Sequence, residues 1–258
     1  MKGFFSPRWL FTTFFVLIGV AVLIRLGFWQ LDRHEQRKAF NSRVIAQISR
    51  EPLNLNEELP ISGLFEMEYR PVIVTGTYIP EDEILLRNQV RILPDGSESP
   101  SGPGYHLLTP LEIDGKAKAV FVNRGWIPLR DGDSASREKY RIQGKVTLRG
   151  VIRRPQTRPD FGGVPDPTLQ PGQSRLSTWN IVNIERIQKQ TNLDLLPVYI
   201  QLTPENSEEV LPQPVEPKVE ISEGNHLGYA GQWFTFATIL GIGYPFFIRS
   251  QIRKSNQK

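Results

Sequence analysis

The chain has 258 residues, 39% of them hydrophobic and 22% charged, a mixture that excludes a chain disordered throughout. It has no cysteine, which rules out disulfides, thiolate zinc or copper sites and a CxxCH heme attachment but leaves the redox compartment open. The formal net charge of +4 is uneven: residues 1–50 hold eight Lys/Arg against two acids, residues 249–258 hold four Lys/Arg and no acid, and the stretch between is net acidic, which argues against a nucleic-acid groove and for basic flanks around something apolar.

Residues 9–24 (WLFTTFFVLIGVAVLI) carry no charge, and Leu26, Gly27, Phe28 and Trp29 extend the run past Arg25. About 20 such residues span a bilayer, and an arginine near the end of the run can snorkel to the headgroups. A transmembrane helix is expected at 9–29, behind a short N-terminal segment 1–8. A buried core helix or a cleaved signal peptide would read similarly, but such long apolar runs are rare in soluble cores. Ala21-Val22-Leu23 is followed by Arg25 and a bulky FWQL stretch rather than by a cleavage site and mature sequence. Residues 30–51 lack glycine and, before Pro52, proline; their apolar positions fall at mixed helical spacings, giving an amphipathic helical stalk.

From 52 to 222 the period becomes strand-like. Strands are expected at 70–78, 83–87, 105–113, with Asp114-Gly115 as a hairpin-type turn, at 118–127 and at 145–153. A Pro/Gly-rich loop at 154–174 precedes a helix at 184–191, a strand at 197–202 and a polyproline-like lead at 211–217. Residues 227–248 form a second uncharged run, with Tyr229 and Trp233 near one end and Tyr244 near the other, as interfacial aromatic belts require, followed by a tail at 249–258. Glu220 and Glu223 precede this second span and four basic residues follow it, which puts the C-terminus in the cytoplasm. The basic residues after the first span point the other way, but they are interleaved with acids in the stalk. Two spans place both termini in the cytoplasm and the middle outside it. The expected fold is therefore an α+β membrane protein: two transmembrane helices flanking a mainly antiparallel β extracytoplasmic domain. With so few residues before Trp9 there is no room for a transit peptide, which favours a bacterial plasma membrane.

No GxSxG, P-loop or GxGxxG occurs, and Gly102-Pro103-Gly104 is turn punctuation. Asp131, Asp133 and Glu138 read as a solvated charge cluster. The three histidines, His34, His106 and His226, include no i, i+4 pair, so a hydrolytic metal centre and a membrane-tethered enzyme are disfavoured. His226 opens the second span among small Gly228, Ala230 and Gly231 and aromatic Tyr229, Trp233 and Phe234. Those residues alone allow two readings: an axial ligand for heme iron with room for a flat macrocycle, or an interfacial histidine in an aromatic belt. The second is the more economical.

An ordered set of motifs then adds to this. Gly27-Phe28-Trp29-Gln30-Leu31 with Arg33, Tyr69-Arg70-Pro71-Val72, Gly104-Tyr105 with Thr109-Pro110, residues 122–128 (VNRGWIP), and His226-Leu227-Gly228-Tyr229 with Trp233 together resemble the surfeit locus protein 1 family, over about residues 26–236. The resemblance implies an assembly factor for heme-copper cytochrome c oxidase that delivers or inserts heme a into oxidase subunit I, with heme a synthase and the lipid bilayer as further partners and no nucleic acid. It implies that His226 is the heme iron's axial ligand and that the Gly-x-Trp-Gln motif falls on Gly27, Trp29 and Gln30. Arg37 stands where the family commonly has lysine. A heme-free membrane scaffold for an oxidase assembly intermediate is the alternative function. With both termini inside, Trp29 and Gln30 end the first span at the depth where His226 and Tyr229 begin the second, and Tyr229, Ala230 and Trp233 lie three, four and seven residues beyond His226. Trp29 and Trp233 are expected to line the heme and Arg25 or Arg33 to neutralise a propionate. For residues 121–128 a structural and docking role is expected, with Arg124 held by partners and Trp126 buried or at an interface.

Overall fold

A computed structural model describes residues 7–57, 60–93, 97–159, 161–204, 210–217, 219 and 221–255. Lys2, Glu220 and Lys258, which enter the expected charge topology, lie outside the described residues, as do Asp160 in the expected loop, most of segment 1–8 and the end of the tail. The chain divides into two compact units: Met1–Arg43 with Glu220–Lys258, and Val44–Val219.

The first unit is built on two helices. Helix α1 runs over Pro7–Ile48 as 42 continuous residues, about 63 Å at 1.5 Å per residue, or twice the ~30 Å of a bilayer's hydrocarbon core. Proline is tolerated at its first position because that N–H needs no partner within the helix. The apolar run and the stalk are thus one rod, which stops at Ile48, short of Pro52, where the Ser49 hydroxyl turns back to the Ile45 carbonyl at 2.9 Å. Among the described residues one helix, over Trp9–Ile48, is long and apolar enough to cross a membrane.

In the second unit, β1 (Leu53–Asn54), β2 (Pro71–Tyr78), β3 (Ile84–Ile92), β4 (Glu98–Ile113) and β5 (Ala119–Pro128) come first, then a one-turn helix α2 (Ser134–Arg137) and β6 (Lys145–Arg153). The stretch 154–194 follows, carrying β7 (Thr178–Trp179) and helix α3 (Ile184–Gln188), and β8 (Leu195–Leu202) completes the sheet. Helix α4 (His226–Ser255) returns to the first unit and contains Pro245.

Five of these strands close on themselves: β2 pairs with β4, β4 with β5, β5 with β8, β8 with β6 and β6 with β2. All are antiparallel except β5 with β8. In chain order the barrel strands run 1-2-3-5-4 and back to 1 with one parallel pair, the arrangement of the OB-fold, a five-stranded Greek-key barrel. The alternation that flagged the strands supplies the interior. Val72, Val74 and Tyr78 on β2, Leu111 and Ile113 on β4, Val120 and Val122 on β5, Ile152 on β6, and Leu196, Val198 and Ile200 on β8 form one core.

The opposite face of β4 and β5 is covered as well. Leu108, Ala119 and Phe121 pack with Trp179, Ile184, Ile187 and Leu195, all but the first three supplied by the stretch after β6 and the start of β8. Nine consecutive residues of β5 are therefore buried, and the barrel face that oligonucleotide-binding OB-folds leave open is closed by the chain itself. The expected strand at 83–87 extends to Ile92 and the one at 105–113 begins at Glu98, because each pairs with the other. The expected helix at 184–191 ends at Gln188.

Candidate functional site

On α1, Gly27, His34 and Asn41 repeat every seven residues and are all buried, with Gln30 half-buried on the same side. Gly27 is placed by packing: a Cβ there would lie 2.6 Å from the Phe234 ring of α4. One turn further along, the Nδ1–H of His226 donates to Gln30 Oε1 at 2.8 Å. A further turn on, Glu223 Oε2 lies 3.7 Å from His34 Nε2, and His34 Nδ1 is buried with no partner among the described residues. At the other end of the pair, the Tyr244 hydroxyl meets those of Thr12 and Thr13 at 2.8 and 2.9 Å.

Two groups of residues nearly 200 positions apart thus meet at His226. Gln30 occupies one ring nitrogen. Gly224, at φ +68 in the left-handed region that favours glycine, flanks the other: a Cβ there would sit 3.3 Å from His226 Nε2 and Cδ2. The residue beside the Nε2 edge is thus a glycine rather than one with a side chain, a lining that would fit an imidazole offering Nε2 to an iron porphyrin. Of the other expected lining residues, Ala230 is buried, Trp233 is half-buried with its ring 6.2 Å from that of Phe236, and Trp29 and Tyr229 lie on exposed sides of their helices. Arg33 stacks its guanidinium 5.7 Å from the Trp29 ring centre, and Arg25 is exposed. Sequence reasoning passed over His34 and Gly224. The seven-residue step from Gly27 carried the signal for the first, while the backbone angle that selects the second has none.

In the barrel unit the VNRGWIP segment sits in a buried polar network. Arg124 donates to the Tyr140 carbonyl oxygen, lies 4.0 Å from Glu83 Oε2 and stacks 4.8 Å from the Tyr78 ring centre. Glu83 also accepts from Arg137 Nε at 2.7 Å and from the Thr109 hydroxyl at 2.9 Å. Burial pushes the Tyr78 hydroxyl up to about 12 although Arg124 opposes the shift. Trp126 is buried and its indole N–H donates to the Gln89 carbonyl at 3.0 Å. Asp131 corrects the solvated-cluster expectation: it is buried, accepting from Tyr140 and from Lys139 at 2.5 and 2.8 Å. Asp133 caps α2 by accepting from Ser136 N at 2.9 Å.

His106 is the barrel's acid-sensitive point. Asn123 Oδ1 accepts from Gly125 N at 3.1 Å, which turns its amide nitrogen toward His106 Nδ1, 3.2 Å away. The ring proton therefore sits on Nε2, which is buried without a partner among the described residues. Burial lowers the His106 pKa to about 4, below the ~6.5 of a free imidazole. Stability is then lost as pH falls from 6.5 toward 4, by about 3 kcal/mol over that window. His106→Leu should remove this acid limb at a pH-independent cost of about 1–3 kcal/mol for the Asn123 amide left without its acceptor, as read by urea unfolding of the detergent-solubilised protein at both pH values; an unchanged acid slope would contradict the assignment.

These features define a class: a Greek-key β-barrel whose chain enters from a helix apolar enough for a membrane and leaves into a second helix that opens on a histidine hydrogen-bonded to the first. A SURF1 family model matches residues 17–238. The chain is 27% identical over 231 residues to a SURF1-like protein of Caenorhabditis briggsae, covering 85% of this chain and 69% of the relative. It is 28% identical over 241 residues to a SURF1-like protein of Rickettsia conorii, covering 92% and 91%. Against surfeit locus protein 1 of Mus musculus it is 26% identical over 196 residues, 74% of this chain and 60% of the mouse protein. The chain belongs to the SURF1 family, and that membership implies a role in cytochrome c oxidase assembly.

Proposed function

We propose that the chain crosses the membrane twice, with both termini in the cytoplasm and the barrel outside it, and that it holds heme a through His226 for delivery to oxidase subunit I. The observation that carries this reading is the 2.8 Å contact between Gln30 and His226. It joins the two sequence motifs most distant from each other and leaves His226 with one ring nitrogen for iron. Bound heme would supply the iron centre that is handed on; the chain's residues hold it at the helix pair and exclude competing ligands. Heme a synthase and oxidase subunit I enter this proposal as the partners that the family resemblance implies.

A second reading keeps the contact and drops the heme. The pairs Gln30–His226 and Thr12/Thr13–Tyr244 pin α1 to α4 at two points, as a scaffold needs. The two are separated by purifying the protein from heme-a-producing cells and measuring its absorption spectrum and heme content. The first expects bound heme that His226→Ala largely removes while the protein stays inserted. Undiminished heme in that variant moves the weight to the scaffold. Topology is tested by reporters fused at Gly132 and Lys258, with activity of a cytoplasmic reporter expected only at Lys258.

A further inference from the structure

We infer that Gln30 and Gly224 together select which nitrogen of His226 binds iron, so that Gln30 is a positioning residue and Gly224 a clearance residue for Nε2. This rests on the reading of His226 as an iron ligand. Neutral imidazole has one N–H and one lone pair, and only the lone-pair nitrogen can coordinate. An amide oxygen can only accept, so Gln30 Oε1 at 2.8 Å from Nδ1 fixes the proton on Nδ1 and leaves the lone pair on Nε2. The opposite end of the same amide would donate to Nδ1, move the ring proton to Nε2 and close that nitrogen to iron. The tautomer of His226 is thus set from the other helix, in the way outer partners of metal-bound histidines hold ring orientation and raise ligand basicity.

Gly224 acts on the other edge. It lies two residues before His226, and its φ of +68 folds the backbone so that a side chain would come within 3.3 Å of Nε2 and Cδ2. Asn225 follows at the position where asparagine commonly caps a helix, and its carbonyl accepts from Tyr229 N at 3.1 Å, anchoring the first turn of α4. The ring is thus carried on a fixed helix start, hydrogen-bonded at one nitrogen and, among the described residues, without a partner at the other. The sense of the Gln30 hydrogen bond is not needed to hold two helices together: a clamp would work equally well with either tautomer.

The test is a titration of the detergent-solubilised full chain with ferric protoporphyrin, followed by the Soret band, in a series that changes only the hydrogen-bonding sense at position 30. Gln30→Glu can only accept and should bind within about threefold of the parent, with a more negative iron midpoint potential. Gln30→Leu does neither and should bind ~10–100-fold more weakly, the usual cost of losing an outer partner. Gln30→Lys can only donate and should be the weakest of the three. Gly224→Asn, which tolerates the left-handed backbone, should weaken binding by crowding Nε2 while leaving the helix content intact. Nitrogen-15 NMR of the porphyrin-free protein should show the His226 proton on Nδ1 in the parent and Gln30→Glu, with the His226→Ala spectrum identifying the signal.

If His226→Ala binds porphyrin as the parent does, the ligand reading itself fails. If His226→Ala loses binding but the three Gln30 variants bind alike, or Gln30→Lys outperforms Gln30→Glu, the ligand stands and the positioning role is overturned.

Discussion

Arg124→Ala should destabilise the barrel unit by about 3–5 kcal/mol, the range expected when one partner of a buried charged network is deleted. Glu83 would keep Arg137 but lose the second guanidinium, 4.0 Å away, in a site where its own side chain is only 8% exposed. The Tyr140 carbonyl oxygen would lose its donor and the Tyr78 ring the cation over its face. Burial already lowers the Arg124 pKa, so the charge is kept by its partners rather than by water. Arg124→Lys should recover only part of the loss, because an ammonium cannot reach the carbonyl, the carboxylate and the ring at once. Urea unfolding followed by tryptophan fluorescence measures the change, and a loss below about 1 kcal/mol would show that the network is not holding the barrel. Membrane insertion should be unaffected and oxidase assembly reduced.

Gly125→Ala should be nearly as damaging, by about 3 kcal/mol or more. Gly125 has φ +117, outside what an alanine adopts without strain, and a Cβ there would lie 2.0 Å from the Gln213 carbonyl oxygen. The segment at 211–215 lies along β5 at this point: Trp126 N donates to Gln213 O at 2.8 Å, Gln213 N to Trp126 O at 2.9 Å, and Arg91 Nε to Gln213 Oε1 at 2.6 Å. Gln201 Nε2 also donates to Val215 O at 2.7 Å. An added methyl must displace this segment and break its hydrogen bonds, so Gly125→Ala should expose 211–215 to protease as well as lower the unfolding midpoint. Gly115→Ala is the control. It has φ +75 but nothing within 4 Å of its Cβ, so it carries only the ~1 kcal/mol of left-handed strain. Equal effects at the two positions would mean that the contact with Gln213 is immaterial.

Much of the architecture was legible because it is local. Continuous apolarity marked the first helix, and the missing proline between residues 30 and 51 let the stalk run on from it. Period-two alternation found β2, β5 and β6 to within a residue at either end. The family and the position of His226 were readable too, since both are carried by ordered motifs. The start of β4 at Glu98 was hidden by Pro100 and Pro103, which argue against a strand from sequence; Pro103 lies opposite Val90 of β3, and the register shifts before Glu98 meets Ile92. β7 is two residues long and exists only because Leu85 and Leu86 lie opposite Thr178 and Trp179. Asp131 looked solvated because its neighbours in sequence are charged, yet Tyr140 and Lys139 enclose it.

By itself, then, the sequence determined where the long helices and most of the barrel strands lie, which faces are apolar and which residues carry the family's motifs, because each of these is written in spacings of two to seven residues. Tertiary structure alone decided that five strands close into a barrel through the pairing of β2 with β4, that the chain after β6 covers the outer face of β4 and β5, and that Gln30 rather than solvent holds His226 Nδ1. An apolar period records that a face is buried but not what buries it. A histidine's chemistry likewise depends on which of its two nitrogens is already engaged, and here the partner lies 196 residues away.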